Sequence, residues 1–416
     1  MTSRCVVRRP RSDWHRATAM TAHDALVVGT RCAGAALAML LARSGHKVLA
    51  IDRARFPSDT ISTHFLWPRT TAFLAKWQLL EKLAATGCPP ITRVTADYGP
   101  IAVSGRPSPV DGTEIMYSPR RIVLDQLLVQ AARAAGAQMR EATTFREVIW
   151  EGDRVVGARL QDRDGTLTEE RANIVVGADG IWSSVARAVG AATDTHHDSL
   201  TCGYYAYWAG VPTDGVEFYV RQGRDILVFP THDGLTCIWA GRARGDWSTY
   251  RANVDRTYRD VIALAPRLAC RLDAARQASS FRGTSKLPNF YRRSFGNGWA
   301  LVGDAAYHRD PLPGMGIGDA FLGAELLATA IHAGLSGNSD LEMNLAGYQS
   351  AFREKTIRVF EYTLRAAALR DPTPTIPLYA KIAESREETQ RFMDVLAGVM
   401  DFKQFFTPSN ISRLLA

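Results

Sequence analysis

Ala25-Leu26-Val27-Val28-Gly29-Thr30-Arg31-Cys32-Ala33-Gly34 followed by Ala35-Ala36-Leu37-Ala38-Met39-Leu40-Leu41-Ala42 reads as a buried strand, a glycine turn and an apolar helix. Ser44-Gly45 closes the helix, and Lys47-Val48-Leu49-Ala50-Ile51 reads as a second, parallel strand ending at Asp52. Asp52 follows Gly29 by 23 residues, the spacing of a dinucleotide-binding βαβ unit. In such a unit the helix N-terminus offers free N–H groups and a positive dipole end to a pyrophosphate. A carboxylate at the end of the second strand accepts hydrogen bonds from an adenosine ribose. Gly29, Arg31, Cys32, Ala33, Gly34, Asp52 and the adjacent Arg53 are therefore the candidate nucleotide-binding residues. Arg31 stands where a second glycine normally lets the backbone approach the phosphates, and its guanidinium is a candidate cap for the pyrophosphate. Alone, the turn also fits a βαβ unit in an α/β fold that binds no nucleotide.

The chain around this unit has 416 residues, 46% hydrophobic and 22% charged, which is ordinary for a globular protein with a large core. The net charge is +8, but residues 1–19 carry Arg4, Arg8, Arg9, Arg11 and Arg16 against Asp13, so half of the excess sits in one short segment. The body is close to neutral, and no nucleic-acid partner is expected. Residues 1–22 are expected to form a disordered basic extension, with Met20 as an alternative start and a partner-binding tail as the functional alternative. They contain no apolar run of the kind a secretory signal needs. The longest apolar stretch, Ala35 to Ala42, is far short of the roughly 20 residues of a membrane span. Six scattered cysteines without a CxxC pair fit a reducing cytoplasm and no structural metal.

Two further segments repeat the strand-into-glycine pattern. Ile174-Val175-Val176 runs into Gly177-Ala178-Asp179-Gly180-Ile181-Trp182-Ser183-Ser184-Val185-Ala186-Arg187. Ala300-Leu301-Val302 runs into Gly303-Asp304-Ala305-Ala306-Tyr307-His308-Arg309-Asp310-Pro311, and Gly314-Met315-Gly316 then opens a helix expected over about 317–332. In this order the three segments resemble the fingerprint of the class A flavoprotein monooxygenases, the para-hydroxybenzoate hydroxylase superfamily, which also takes in flavin halogenases and geranylgeranyl reductases. The resemblance covers about residues 23–350. It implies an α/β fold: a Rossmann-like FAD-binding domain, an antiparallel-sheet substrate domain and a C-terminal helical segment.

The resemblance also implies roles. The glycine turn holds the FAD pyrophosphate, and Asp179-Gly180 with Ser183 and Arg187 lies by the cofactor and the nicotinamide path. Gly303 and Asp304 meet the ribityl chain. Gly314, Met315 and Gly316 admit close backbone approach, with the following helix start aimed at the flavin. Arg121, in Arg121-Ile122-Val123-Leu124-Asp125, matches an arginine that contacts FAD in relatives; a plain surface arginine at a helix start is the alternative. The pattern departs from most relatives at Tyr307-His308 and at Ile317-Gly318-Asp319. His308, and His64 in the loop Thr60 to Arg69, are the catalytic candidates, and a structural hydrogen-bonding role is the alternative for both. No metal ligand set is expected.

Residues 23–95, 115–195 and 290–347 are assigned to the FAD-binding domain, and 96–114 and 196–289 to the substrate domain. Residues 348–416 form a helical region, broken at Asp371-Pro372-Thr373-Pro374, that covers the substrate entrance or forms a dimer face. Aromatic and β-branched runs around Tyr204–Trp208, Val216–Val220, Ile226–Pro230 and Thr236–Ala240 predict an antiparallel sheet. The implied activity is an FAD-dependent monooxygenase that hydroxylates an aromatic or polycyclic small molecule with molecular oxygen through a peroxyflavin. Electrons come from NAD(P)H as a transient donor, or as reduced FAD from a partner flavin reductase. The alternatives are a reductase of isoprenoid double bonds, a halogenase and a non-catalytic flavin binder. Against halogenation, no lysine lies between Lys82 and Lys286, where halogenase relatives carry one, and W-x-W-x-I-P is absent.

Overall fold

The computed structural model describes residues 23–337 and 339–416; the basic extension expected over 1–22 lies outside them. Its first sheet places Phe295–Gly296, Trp299–Leu301, Leu167–Gly177, His23–Val28, Val48–Asp52 and Gln138–Glu141 side by side in that order. His23–Val28 lies at the centre, parallel to both neighbours, with Val27 opposite Ala50 on one side and Val176 on the other. A strand buried on both faces cannot alternate with polar residues, which is why Ala25 to Val28 and Val48 to Ile51 read as continuous apolar runs.

The helix Cys32–Arg43 packs against Arg121–Ala134 and Gly316–Leu335. Ala35, Ala36 and Ala38, all fully buried, keep that helix slim enough for close packing. The helix expected over about 317–332 spans Gly316–Leu335, and Arg121 opens the helix Arg121–Ala134. Strands Thr144–Glu151 and Arg154–Gln161 continue antiparallel from Leu167–Gly177.

The second sheet runs Arg276–Gln277, Thr201–Ala209, Leu235–Ala243, Arg224–Pro230, Val216–Arg221, Val94–Asp97, Ala102–Gly105. The four predicted aromatic runs are its central strands, antiparallel to one another. Period-two alternation gives the sheet two apolar faces. Ala206, Trp208, Ile226, Val228 and Ile238 bury against the helices Val254–Ile262 and Pro266–Asp273. Tyr205, Tyr207, Leu227, Phe229 and Trp239 face the other way, toward the loop carrying Phe65 and Trp67 and toward the C-terminal helices.

The helical pattern expected from Tyr348 begins earlier, at Leu341, where the Asp340 carboxylate accepts from the Met343 amide and caps Leu341–Ala367. The Phe, Met and Leu residues of the following helices, including Phe392, Met393, Phe405 and Leu414, bury against the second sheet within the same chain. Among the described residues, no helix is long and apolar enough to cross a membrane.

Candidate functional site

Between the two sheets lies a cleft of about 640 Å³. Its walls are the C-terminal ends of the parallel strands, the starts of the helices Cys32–Arg43 and Gly316–Leu335, the loop 60–63 and the aromatic face of the second sheet. A crevice at the carboxyl ends of parallel strands is where an α/β sheet leaves room for a ligand.

The glycine turn is locked by its neighbours. Gly29 has φ +95°, and a Cβ there would lie 2.5 Å from the Ala178 carbonyl oxygen. A Cβ on Gly34 would lie 1.8 Å from the Gly29 carbonyl oxygen. The Gly29 amide donates to Ile51 and the Ala178 amide to Val28, so three strand ends are stitched together at this point. No side chain caps the helix Cys32–Arg43, which leaves its first-turn amides for an anion. Asp52 is buried; one carboxylate oxygen accepts from the Thr30 amide at 2.8 Å, the other from the Ala54 amide at 2.8 Å.

Arg31 sends its guanidinium to Asp125 at 2.7 Å and to the Ser58 carbonyl and hydroxyl at 3.2 and 3.0 Å. A pyrophosphate cap by Arg31 would have to compete with these partners. Asp125 is fully buried and also accepts from Arg121, at 3.0 and 3.1 Å, and from the Cys32 thiol. Burial pushes the Cys32 thiol far up, so it stays protonated. Asp125, together with Asp304, also holds the Arg121 guanidinium above the ordinary arginine range, although burial alone would lower it. Asp125 is thus the hinge pin between the glycine turn and the helix Arg121–Ala134. In the sequence only its i, i+4 spacing from Arg121 marks it.

Asp179 accepts from the Ser183 hydroxyl at 2.5 Å and the Ser184 amide at 2.6 Å, capping the short helix Ser184–Ala188. Asp179 and Gly180 line the cleft; Arg187 is exposed, bonded to the Trp182 carbonyl and Ser184. Gly303, at φ +61°, brings its turn to within contact of Ala33, since a Cβ on it would lie 2.7 Å from the Ala33 Cβ. The adjacent Asp304 is exposed to the cleft and has no side-chain hydrogen-bond partner among the described residues. Gly316 opens onto the cleft, where a Cβ would meet nothing within 4 Å.

The cleft therefore gathers Gly29, Arg31, Cys32, Ala33, Asp52, Arg53, Arg121, Asp179, Gly303, Asp304, Gly316 and His308. Gly34, Gly314, Met315 and His64 do not line it. Gly34 is a packing glycine inside the helix, Gly314 faces Phe65 and Trp67, and Met315 packs on Gly398.

The two histidines differ. His308 donates Nδ1–H to the Pro288 carbonyl, which leaves Nε2 as an acceptor on a ring that lines the cleft. His64 is 1% exposed at φ +39°, with Nδ1 on the Ser62 carbonyl at 2.9 Å and Nε2 buried without a partner. The rings of Tyr205, Tyr207 and Phe229 surround it, and burial lowers its pKa to about 4. It is neutral at physiological pH. The cleft wall also includes Tyr205, Phe229, Trp239 and the buried Arg309–Asp319 ion pair at 2.8 Å, none of which carries a local sequence signal for this role.

Two helix starts, an unpartnered carboxylate and a glycine that leaves open space match a flavin dinucleotide in charge and shape. Residues 22–358 match the family model described as FAD binding domain. The chain belongs to that family. This flavoprotein is an FAD-dependent oxidoreductase, and FAD is its cofactor. It is 28% identical over 348 residues to a digeranylgeranylglycerophospholipid reductase of Methanosarcina acetivorans, covering 80% of this chain and 81% of the reductase. It is 27% identical over 317 residues to the 6-methylpretetramide 4-monooxygenase of Streptomyces rimosus, covering 71% of each. In fold it is similar to a myxobacterial chondrochloren halogenase, with a TM-score of 0.77 at 23% identity over 95% of this chain and 96% of the halogenase.

Proposed function

We propose that this flavoprotein is a monooxygenase that hydroxylates an aromatic or polycyclic small molecule. The observation that carries the proposal is one continuous cleft, whose FAD-type elements face a wall of Tyr205, Phe229 and Trp239. The glycine turn, Asp52, Arg121, Asp304 and Gly316 are the residues that would hold FAD. Bound FAD, reduced by NAD(P)H or supplied reduced by a separate flavin reductase, provides the activation of molecular oxygen. The aromatic wall excludes water and holds an apolar substrate against the cofactor side. His308, with its tautomer set by Pro288, is positioned to accept a substrate hydroxyl proton at Nε2. The 27% identity to the 6-methylpretetramide 4-monooxygenase supports this reading. No lysine lines the cleft among the described residues, which speaks against halogenation.

The 28% identity to an archaeal reductase favours one second reading, hydride addition to an isoprenoid double bond. An absorption spectrum of the purified protein, anaerobic addition of NADPH and NADH with and without an isoprenoid alkene, and then oxygen with a panel of phenolic and polycyclic compounds separate the two. Substrate-stimulated oxygen uptake with a hydroxylated product supports the monooxygenase. Anaerobic reduction of an isoprenoid alkene, with no hydroxylated product in any oxygenated mixture, overturns it. In the same assay His308→Ala lowers turnover and leaves the flavin spectrum intact; loss of FAD instead reassigns His308 to cofactor binding.

A further inference from the structure

In the second sheet, next to the cleft-lining Tyr205 and Trp239, Gly203 and Gly241 stand directly opposite each other on adjacent antiparallel strands. Both face the cleft side of the sheet, in line with Tyr205 and Trp239. Their missing side chains are filled by one ring. A Cβ on Gly203 would lie 2.4 Å from the Trp239 Cζ2, and a Cβ on Gly241 would lie 2.6 Å from its Nε1. The indole is therefore folded over along the sheet, where an ordinary strand residue would stand up from it. Its Nε1–H donates to Asp225 Oδ2 at 2.8 Å, which fixes the rotation of the ring. Asp225 is itself buried, and a Cβ on Gly241 would lie 2.0 Å from its Oδ1, so both glycines are needed for this arrangement. Asp225 Oδ1 has no hydrogen-bond partner among the described residues. A buried, half-satisfied carboxyl group is a costly way to hold a tryptophan that serves only as packing.

Trp239 borders the cleft together with Tyr205, Phe229, Thr284 and Leu287. Glycine backbone thus covers one side of the ring, and the 6% of Trp239 that stays exposed borders the cleft. We propose that Trp239 is a stacking platform that selects planar aromatic substrates, and that Asp225 is the positioning residue that keeps its indole flat. The inference rests on the proposed aromatic hydroxylation for the substrate class, but its test reads binding alone.

The test titrates the FAD-loaded protein with matched pairs of flat and saturated probes, and reads the perturbation of the flavin absorbance. Phenol with cyclohexanol, 2-naphthol with decahydro-2-naphthol, and 9-phenanthrol with its perhydro analogue give three ring sizes. The flat member is expected to bind about 3- to 10-fold more tightly than its saturated partner, a preference that grows with ring number. Trp239→Leu abolishes the preference and Trp239→Phe retains part of it. Asp225→Asn, which keeps an acceptor for the indole N–H, preserves the preference, and Asp225→Val loses it. Equal binding within every pair, no perturbation by any probe, or a preference that survives in Trp239→Leu overturns the proposal. If Trp239→Leu fails to fold, the Asp225→Asn and Asp225→Val pair decides in the same way. A flat-probe preference without any hydroxylated product defeats the proposed function and leaves the platform standing; hydroxylation without the preference does the reverse.

Discussion

Asp225 and His64, both buried behind the aromatic wall, titrate in opposite senses, and single substitutions should unmask each. Burial, then the negative charge of Asp310, pushes Asp225 from its ordinary 3.8 up to about 7 against the opposing Trp239 hydrogen bond. The fold therefore prefers the protonated acid. Its contribution is fully present below the unfolded-state value and is lost as pH rises through about 7, a loss of about 4 kcal/mol. Burial, opposed by the Ser62 carbonyl, lowers His64 from 6.5 to about 4, so the fold prefers the neutral ring. That contribution is present above 6.5 and is lost as pH falls through about 4, a loss of about 3 kcal/mol. Between pH 4 and 6.5 the two terms nearly cancel in the unaltered protein. In Asp225→Asn the stability difference, variant minus parent, should rise by about 4 kcal/mol from pH 4 to 7.5. In His64→Gln the same difference should fall by about 3 kcal/mol over that range. Urea unfolding at fixed FAD concentration, at pH 4, 5.5 and 7.5, measures both. Differences that stay flat within about 1 kcal/mol, or that share a sign, refute the assigned protonation states.

The remaining predictions concern the cofactor cradle. Gly34→Ala forces its Cβ onto the Gly29 carbonyl and should yield a protein that purifies without yellow FAD, as absorbance at the flavin bands will show. Asp125→Ala leaves Arg31 and Arg121 without their shared buried carboxylate; the expected cost is about 3–5 kcal/mol in thermal or urea unfolding, together with weaker FAD retention. Asp304→Ala removes an unpartnered carboxylate, so it should weaken FAD binding in a reconstitution titration while leaving the unfolding midpoint of the FAD-free protein unchanged.

Much of the cofactor cradle was legible from local sequence. Gly29, Gly303 and the Asp179-Gly180 turn can be read because a positive φ or a close backbone approach excludes other residues, and that constraint acts within a few positions. Helix starts follow the same logic, so Gly316 fell where the motif placed it. The apolar runs of the parallel strands and the alternation of the second sheet were equally readable, because each records how many faces of its strand are covered. Met315 and Gly314 show the limit. They lie in the same motif as Gly316, but their surroundings come from Gly398 and Phe65, distant segments that no local pattern announces.

Three glycine-bearing strand ends in order carried, from sequence alone, the resemblance that implied the family and the cofactor, and they placed the strand ends of the first sheet, since a glycine turn is a short-range backbone requirement. The tertiary structure alone decided how the side chains in and around that cleft are used. Arg31 finds Asp125 across 94 residues of chain, and Trp239 lies on Gly203 because two strands pair in one register. His64 and His308 read alike as loop histidines, yet one is sealed among aromatic rings and the other opens on the cleft. Burial and charge environment are sums over neighbours brought together by folding, which is why the sequence names these residues and only the fold assigns their chemistry.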